Sequence, residues 1–191
     1  MGQIVVSEFV TADGVAEGPG TDQAFSRDQW AFRFDRGSDG DQFKLDELKA
    51  AGALLLGRLT YEGFAAAWPT ITDEAGFAVK MNSIPKYVVS GTLREPTWQN
   101  TTVITGNVPA AIEKLRDQVE GDVLINGSTQ LVRSLVDHDL IDEYRLMVFP
   151  VIVGAGKRLF GETQAAATLR LVETRTVGPD GVTIVVYRPA R

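Results

Sequence analysis

The pattern of apolar and polar positions shows two regimes along the chain. Up to about residue 136, short apolar runs alternate with segments whose apolar residues recur at helical spacing. The strands predicted in this part are 3–9, 53–56, 86–90, 101–104 and 122–126, and the helices are 41–51, 59–68, 72–81, 109–119 and 128–136. Strands that alternate with helices predict a parallel sheet with helices on both faces.

The last third of the chain has a different pattern. Residues 142–153, 168–177 and 182–188 are long strand-like runs, and a strong turn sequence, Gly178-Pro179-Asp180-Gly181, separates the last two. A terminal hairpin adds an antiparallel edge to the sheet. The predicted fold class is therefore α/β: a three-layer α/β/α domain with a mixed, mainly parallel central sheet and a C-terminal antiparallel hairpin. With 191 residues and no linker-like composition, the chain is predicted to form a single domain over residues 1–191.

Residues 11–40 follow neither pattern. Glycine, aspartate, proline and serine dominate this segment, and aromatic residues such as Trp30 lie among them. An irregular stretch of about 30 residues in a compact domain is more often functional than idle. Trp30 is therefore either part of the apolar core or a stacking wall for a planar substrate ring. Asp13-Gly14, at the end of the first strand, is either a plain turn pair or a substrate contact.

Composition and charge argue against several classes of function. The formal net charge is −6, which argues against a general nucleic-acid-binding surface. With no cysteine and one histidine, the chain lacks a thiol nucleophile, a cysteine-ligated metal site and the two-histidine metal motifs, so no metal site is predicted. The N-terminus does not have the pattern of a secretory signal, and no apolar run approaches the ~20 residues that span a bilayer. A cytoplasmic protein without a membrane partner is expected.

The turn that contains Arg58 is the most informative candidate for chemistry. In α/β sheets, ligands bind beyond the carboxyl ends of the strands, where helix N-termini offer free amides and a partial positive charge. A cation at the start of a helix is unfavourable by about 0.3–1 kcal/mol when it has no partner. A phosphate bound by Arg58, the Thr60 hydroxyl and the free amides would make the free energy of this arrangement favourable. The alternative is that Arg58 pairs with a nearby carboxylate on the surface.

Two more strand ends carry similar groups. Gly127 lets a ligand approach the backbone, and Ser128 or Thr129 can bind a phosphate oxygen or simply cap the next helix. Ser90 and Thr92 offer hydroxyls at a third strand end. Three such turns on one edge of the sheet could hold a dinucleotide, with its pyrophosphate at one turn and a ribose-linked phosphate at another.

Together these segments resemble a known family. They occur in order along nearly the whole chain, and they include LLLGRLTY at 54–61 and FPVIVGAGKRLF at 149–160. The full set is 7–14, 54–61, 85–90, 126–128, 140–143 and 149–160. The chain resembles the dihydrofolate-reductase-like family that includes the reductase domain of the bifunctional riboflavin-biosynthesis protein.

The resemblance implies an NADPH-binding fold that usually forms homodimers. Carried over by position, it assigns three groups of cofactor-binding residues: Gly57, Arg58 and Thr60 at the phosphate region, Ser90 and Thr92 on the adenosine side, and Gly127, Ser128 and Thr129 at the pyrophosphate. Asn126 belongs to this last turn, but relatives commonly have a second glycine there. A second departure is that residues 11–40 do not align with dihydrofolate reductases, so their substrate-binding acid has no counterpart.

The resulting hypothesis is an NADPH-dependent reductase of a small heterocyclic molecule, resembling 5-amino-6-(5-phosphoribosylamino)uracil reductase of riboflavin biosynthesis. The alternatives are a reductase of dihydrofolate or of another small carbonyl or imine compound, and a nucleotide-binding module without turnover. Asp13 is the candidate proton donor by position, and a bound water is an equal rival. Asp13, Gly14 and Trp30 are the candidate substrate contacts.

Overall fold

A computed structural model describes residues 2–20, 24–164 and 166–190. Within these residues, eight strands form one sheet. In chain order they are β1 (Ile4–Thr11), β2 (Ala51–Gly57), β3 (Lys86–Val89), β4 (Thr101–Ile104), β5 (Asp122–Ile125), β6 (Glu143–Phe149), β7 (Leu169–Val177) and β8 (Val182–Pro189). The sheet order is β4-β3-β2-β5-β1-β6-β8-β7. Strands β1 to β6 pair in parallel, and β8 joins β6 and β7 through antiparallel ladders.

Helices cover both faces of this sheet. Among the described residues they are α1 (Gly37–Ala50), α2 (Arg58–Ala67), α3 (Phe77–Ser83), α4 (Val108–Gln118) and α5 (Thr129–Val136). Alternate residues of β1 point to opposite faces, so Val5 packs with α1, α2 and α3 while Val6 packs with α4 and α5. The predicted three-layer α/β/α class with a C-terminal antiparallel hairpin is confirmed.

The aromatic residues around β6 form a third apolar cluster. Trp30 is 1% exposed, and its ring centroid lies 5.4 Å from that of Phe149 in an edge-to-face arrangement. Phe9 and Phe34 pack on the same Phe149 ring. The Trp30 indole N–H donates to the carbonyl of Glu17 at 2.9 Å. In this structure Trp30 is a core residue with its polar atom satisfied, which matches the core interpretation of the two that its sequence context allows.

Three element boundaries differ from the sequence prediction by more than two residues. Helix α1 begins at Gly37, within the segment predicted to be irregular. Helix α3 begins only at Phe77, because the carboxylate of Asp73 accepts hydrogen bonds from the amides of Phe77 and Ala78 and sets the first turn there. Strand β6 ends at Phe149, not at residue 153, since Pro150 has no N–H for the ladder.

Lys86 is a buried cation at the start of β3. Its Nζ donates to the carbonyls of Asn82 at 2.9 Å, Ile84 at 2.8 Å and Gln99 at 3.3 Å, and it lies 4.2 Å from the centroid of the Trp98 ring. Burial lowers the pKa of Lys86 to about 8. These contacts join β3 to the segments on either side of it.

The helices are short relative to a bilayer. Within the described part of the chain, none combines the length and the apolar character needed to cross a membrane.

Candidate functional site

A crevice opens between β1 and β5 at the carboxyl edge of the sheet. The β1–β5 ladder ends at Val6 and Ile125, whereas the β1–β6 ladder continues to Thr11 and Phe149. From Ser7 onward, β1 therefore lacks a neighbouring strand on its β5 side. The turns that follow β2 and β5 lie at this edge, as the parallel arrangement requires.

The turns after β2 and β5 pack directly against each other. The amide of Gly57 donates to the carbonyl of Gly127 at 3.3 Å. A Cβ atom on Gly57 would lie 2.3 Å from the Ser128 Oγ, and one on Gly127 would lie 2.7 Å from the Thr60 Oγ1. Gly127 also has φ +96°, and the Gly127–Ser128 peptide is cis. Only glycine fits both positions, so the N-termini of α2 and α5 come together at one place.

This arrangement suits a dinucleotide pyrophosphate. Two helix N-termini present amides and partial positive charge at the same point, and the backbone is bare where the two glycines face each other. Thr60 and Thr129 are half-buried beside it, and Ser128 caps α5 by accepting from the Leu131 amide at 3.4 Å. The predicted residues Gly57, Thr60, Gly127, Ser128 and Thr129 are thus brought together.

Asn126 links the second of these turns to β1. Its Nδ2 donates to the carbonyl of Ser7 at 2.9 Å. This bond takes the place of a ladder hydrogen bond just beyond the last β5 pair. The Asn126 side chain therefore holds this wall of the crevice in position.

Arg58 is the first residue of α2 and pairs with Glu62 one turn later. One guanidinium nitrogen lies 2.9 Å and 3.0 Å from the two carboxylate oxygens of Glu62. The two side chains are 42% and 45% exposed. This is the surface pair that the sequence allowed as an alternative to a phosphate contact. An exposed i,i+4 pair contributes only about 0.3–0.5 kcal/mol, so a phosphate at the helix N-terminus can displace Glu62.

The turn after β3 is closed by Ser90. Its Oγ accepts from the amides of Thr92 at 3.1 Å and Leu93 at 2.9 Å. The side chain of Thr92 is exposed, whereas Ser90 is buried. Ser90 thus shapes this turn, and Thr92 is the group that it presents to solvent.

Asp13 fastens the loop that follows β6. Its carboxylate accepts from the Thr11 hydroxyl at 2.6 Å and from the amides of Val153 at 3.2 Å and Gly154 at 2.8 Å. The Thr11 hydrogen bond, with the two amide bonds, lowers the pKa of Asp13 to about 2. Asp13 is therefore ionised at neutral pH, and this geometry does not support it as a proton donor. Gly14 next to it has φ +80° and lines a cavity at the end of β1.

Glu8 is a site residue that sequence reasoning missed. It lies on β1 two residues past the last β5 pair, is 8% exposed, and its Oε1 has no hydrogen-bond partner among the described residues. Burial raises the pKa of Glu8 to about 8, and the charge of Lys44 opposes that rise only in part. The available signal was a glutamate at a position of β1 whose alternate neighbours, Val6 and Val10, are both apolar.

A buried polar network lies on the opposite face of β1. Ser7 donates to Glu47 Oε2 at 2.9 Å, and Lys44 Nζ lies 2.8 Å from the same oxygen. Lys44 also donates to Ser7 Oγ and lies 5.2 Å from the centroid of the Phe9 ring. Sequence reasoning missed Lys44 and Glu47 because nothing local indicated that this face of α1 covers β1. Glu8 therefore lies on one face of β1 at the crevice, and the Lys44–Glu47 ion pair lies on the other face.

The chain matches a protein-family model over nearly its whole length. The family model of the RibD C-terminal domain matches residues 3–183. The uncharacterised Bacillus subtilis protein YyaP is 29% identical over 188 residues, which are 97% of this chain and 94% of YyaP.

Solved structures show the same fold. A protein of Shewanella sp. PV-4 named for riboflavin biosynthesis superposes with a TM-score of 0.80 at 20% identity and covers 99% of each chain. Dihydrofolate reductase from Enterococcus faecalis, complexed with NADP(H) and RAB-propyl, superposes with a TM-score of 0.62 at 14% identity and covers 99% of this chain and 97% of the reductase.

Proposed function

The chain belongs to the RibD C-terminal domain family, and on this premise we propose that it is an NADPH-dependent reductase of a small heterocyclic substrate. The substrate class that we favour is a pyrimidine of the kind reduced by 5-amino-6-(5-phosphoribosylamino)uracil reductase. The observation that carries the proposal is the contact between the two glycine turns, which brings the N-termini of α2 and α5 together at the crevice. The dinucleotide bound by the Enterococcus faecalis dihydrofolate reductase supports the choice of cofactor.

In this proposal each turn has a separate task. The amides at the N-termini of α2 and α5, with the Ser128 and Thr129 hydroxyls, hold the pyrophosphate. Arg58 and Thr60 hold the phosphate on the ribose, and Ser90 and Thr92 border the adenosine. Bound NADPH supplies the hydride, and the crevice orients it toward the substrate and excludes water. We further propose a homodimer that acts in the cytoplasm.

The first test concerns Arg58. Arg58→Ala should weaken NADPH binding by about tenfold or more, because a charge-assisted hydrogen bond contributes roughly 1.5–3 kcal/mol. NADH binding should change little, since NADH lacks the ribose phosphate. Titration with each cofactor, followed by nicotinamide fluorescence, measures both affinities. Equal weakening of the two would contradict the role of Arg58.

Glu62→Gln is the matched control. It removes the carboxylate that pairs with Arg58 and leaves the guanidinium free. NADPH should therefore bind this variant at least as tightly as the natural protein. If the natural protein binds neither cofactor, the reductase proposal is wrong. NADPH binding without loss of nicotinamide absorbance on a panel of pyrimidine, dihydrofolate and carbonyl substrates would instead favour a nucleotide-binding module.

A further inference from the structure

We propose that Glu8 is the catalytic acid of this reductase, delivering the proton from a buried carboxyl group at the floor of the crevice between β1 and β5. The inference rests on the proposed reductase function and adds a chemical role that the cofactor turns do not supply. It gives that role to a residue on the central strand of the sheet, in place of Asp13.

The Glu8 carboxyl group lies beside the turn that follows β5. A Cβ atom built on Gly127 would lie 3.6 Å from Glu8 Oε1 and 2.7 Å from Thr60 Oγ1. The carboxyl group of Glu8 is therefore next to the bare backbone of the turn that we assign to the pyrophosphate. It lies past the end of the β1–β5 ladder at Val6, where the sheet gives way to the crevice.

One oxygen of the Glu8 carboxyl group has no hydrogen-bond partner among the described residues. Glu8 Oε1 is completely buried and bonds to nothing in the part of the chain that is described. An ionised carboxylate in such a place would carry a large desolvation penalty, whereas a neutral carboxyl group avoids it. An acid that is protonated and unpartnered has its proton available for a ligand that enters the crevice.

The surroundings of Glu8 keep this acid neutral. Lys44 of α1 is the charged side chain whose field favours ionisation of Glu8, and it is already paired with Glu47. Leu146 of β6 is in register with Glu8, Gly127 lies beside its carboxyl group, and neither of these residues titrates. Burial therefore outweighs Lys44, and the pKa of Glu8 rises to about 8.

A cavity lies beyond Glu8 on the same face of β1, and Glu8 itself is not part of its lining. The cavity has a volume of about 240 Å³, and its lining includes Val10, Leu146 and Val148. Val10 is two residues beyond Glu8 on the same face of β1, and Leu146 is the register partner of Glu8. The cavity therefore continues along the face that carries the carboxyl group, and its walls are mostly apolar.

The reduction combines hydride addition with proton transfer from Glu8. A hydride from NADPH adds to the electrophilic carbon of a C=N or C=O group, and the electron pair of the π bond moves to the nitrogen or oxygen. That atom takes the proton of the Glu8 carboxyl group, forming an N–H or O–H bond and leaving Glu8 as a carboxylate. Glu8 then regains a proton from water. The substrate gains two electrons and two hydrogens, and one NADPH and one proton are consumed.

Proton release on cofactor binding tests this placement without turnover. The nicotinamide ring of NADP⁺ carries a positive charge, which should drive the proton off a carboxyl group beside it, whereas the NADPH ring is neutral. Calorimetric titrations at pH 7 in two buffers of different ionisation enthalpy count the protons. The natural protein should release a large fraction of one proton more with NADP⁺ than with NADPH. Because both cofactors carry the same phosphates, this difference isolates the ring charge.

Two variants identify the group that releases the proton. Glu8→Gln should bind both cofactors and lose the extra proton release. Glu143→Gln, which changes a buried but ion-paired glutamate at the opposite end of β6, should retain it. Extra release that persists in Glu8→Gln, or that disappears in Glu143→Gln, would overturn the inference and leave the reductase proposal intact. Failure of both cofactors to bind the natural protein would overturn the two together.

The pH profile of turnover is the second measurement. With NADPH and 5-amino-6-(5-phosphoribosylamino)uracil as probe, kcat of the natural protein should fall at alkaline pH as the acid loses its proton. Glu8→Gln should lower kcat at least a hundredfold with little change in the NADPH dissociation constant, and Glu8→Asp should restore part of it. An unchanged kcat and pH profile in Glu8→Gln would refute the catalytic role.

Discussion

As the pH rises from about 4.5 to about 8, the free energy of unfolding should fall by up to about 5 kcal/mol because of Glu8 alone. In this range Glu8 keeps its proton in the folded protein and loses it in the unfolded chain. The folded state therefore binds more protons than the unfolded state, and each increase in pH favours unfolding. The stabilisation is fully present below the unfolded pKa and is lost as the pH passes through the folded one.

Urea unfolding at pH 5 and pH 8 measures this loss. Glu8→Gln removes the titrating group and keeps its size, so most of the difference between the two pH values should disappear. Glu143→Gln serves as the control, because it should lower stability by a similar amount at both. Parallel pH dependence in the natural protein and Glu8→Gln would show that Glu8 is ionised in the folded state.

Two other titrations have the opposite sign and fall outside this window. The lowered pKa of Asp13, about 2, makes its stabilising contribution disappear as the pH falls below about 3.8. The lowered pKa of Lys86, about 8, makes stability rise again between about pH 8 and 10.5. The decline between pH 5 and pH 8 is therefore the part of the profile that reports on Glu8.

Gly57→Ala should disrupt the cofactor site by forcing apart the two turns that form it. The new methyl group would lie 2.3 Å from Ser128 Oγ and 2.9 Å from Ser128 Cβ, so the turns after β2 and β5 would have to separate. Overpacking of this kind costs about 1–3 kcal/mol of stability. NADPH affinity should fall by at least tenfold, because the amides of the two turns would no longer converge.

Gly63→Ala is the matched control on the same helix. A Cβ atom at Gly63 meets no atom within 4 Å, and the residue lies inside α2. Alanine there should raise helix stability by roughly 0.5–1 kcal/mol and leave cofactor binding unchanged. Thermal unfolding and NADPH titration of both variants separate the two effects. Natural affinity in Gly57→Ala would show that these turns do not hold the cofactor.

Local signals were sufficient for elements whose ends depend on their own residues. Helix α4 follows Asn107, whose side chain accepts from the Ala110 amide at 3.3 Å, and α5 follows Ser128, as their sequences predict. Helix α1 is different, because its start depends on a distant segment. The amide of Asp35 donates to Asp180 in the β7–β8 turn at 2.6 Å, and Asp35 in turn accepts from the Gly37 amide at 2.7 Å.

The candidate site also depends partly on local sequence pattern and partly on tertiary structure. Parallel strands place their carboxyl ends on one edge, so alternation of strands and helices was enough to predict that Gly57, Ser90 and Gly127 follow strands at a shared edge. The distances between these turns depend on strand order, which the local pattern does not contain. That order places β5 between β2 and β1, and this is why Gly57 and Ser128 are in contact.

The sequence by itself determined the fold class and the strand ends that carry polar groups, because both follow from the period of apolar positions and from turn chemistry. Only the tertiary structure decided the protonation states of the acidic residues at the site. Asp13 and Glu8 both carry carboxyl groups on or just after β1. Hydrogen bonds from Thr11 and from the loop after β6 lower the pKa of Asp13, whereas burial raises that of Glu8. Solvation and hydrogen bonding are properties of the whole assembled environment, so residues far apart in the chain set them.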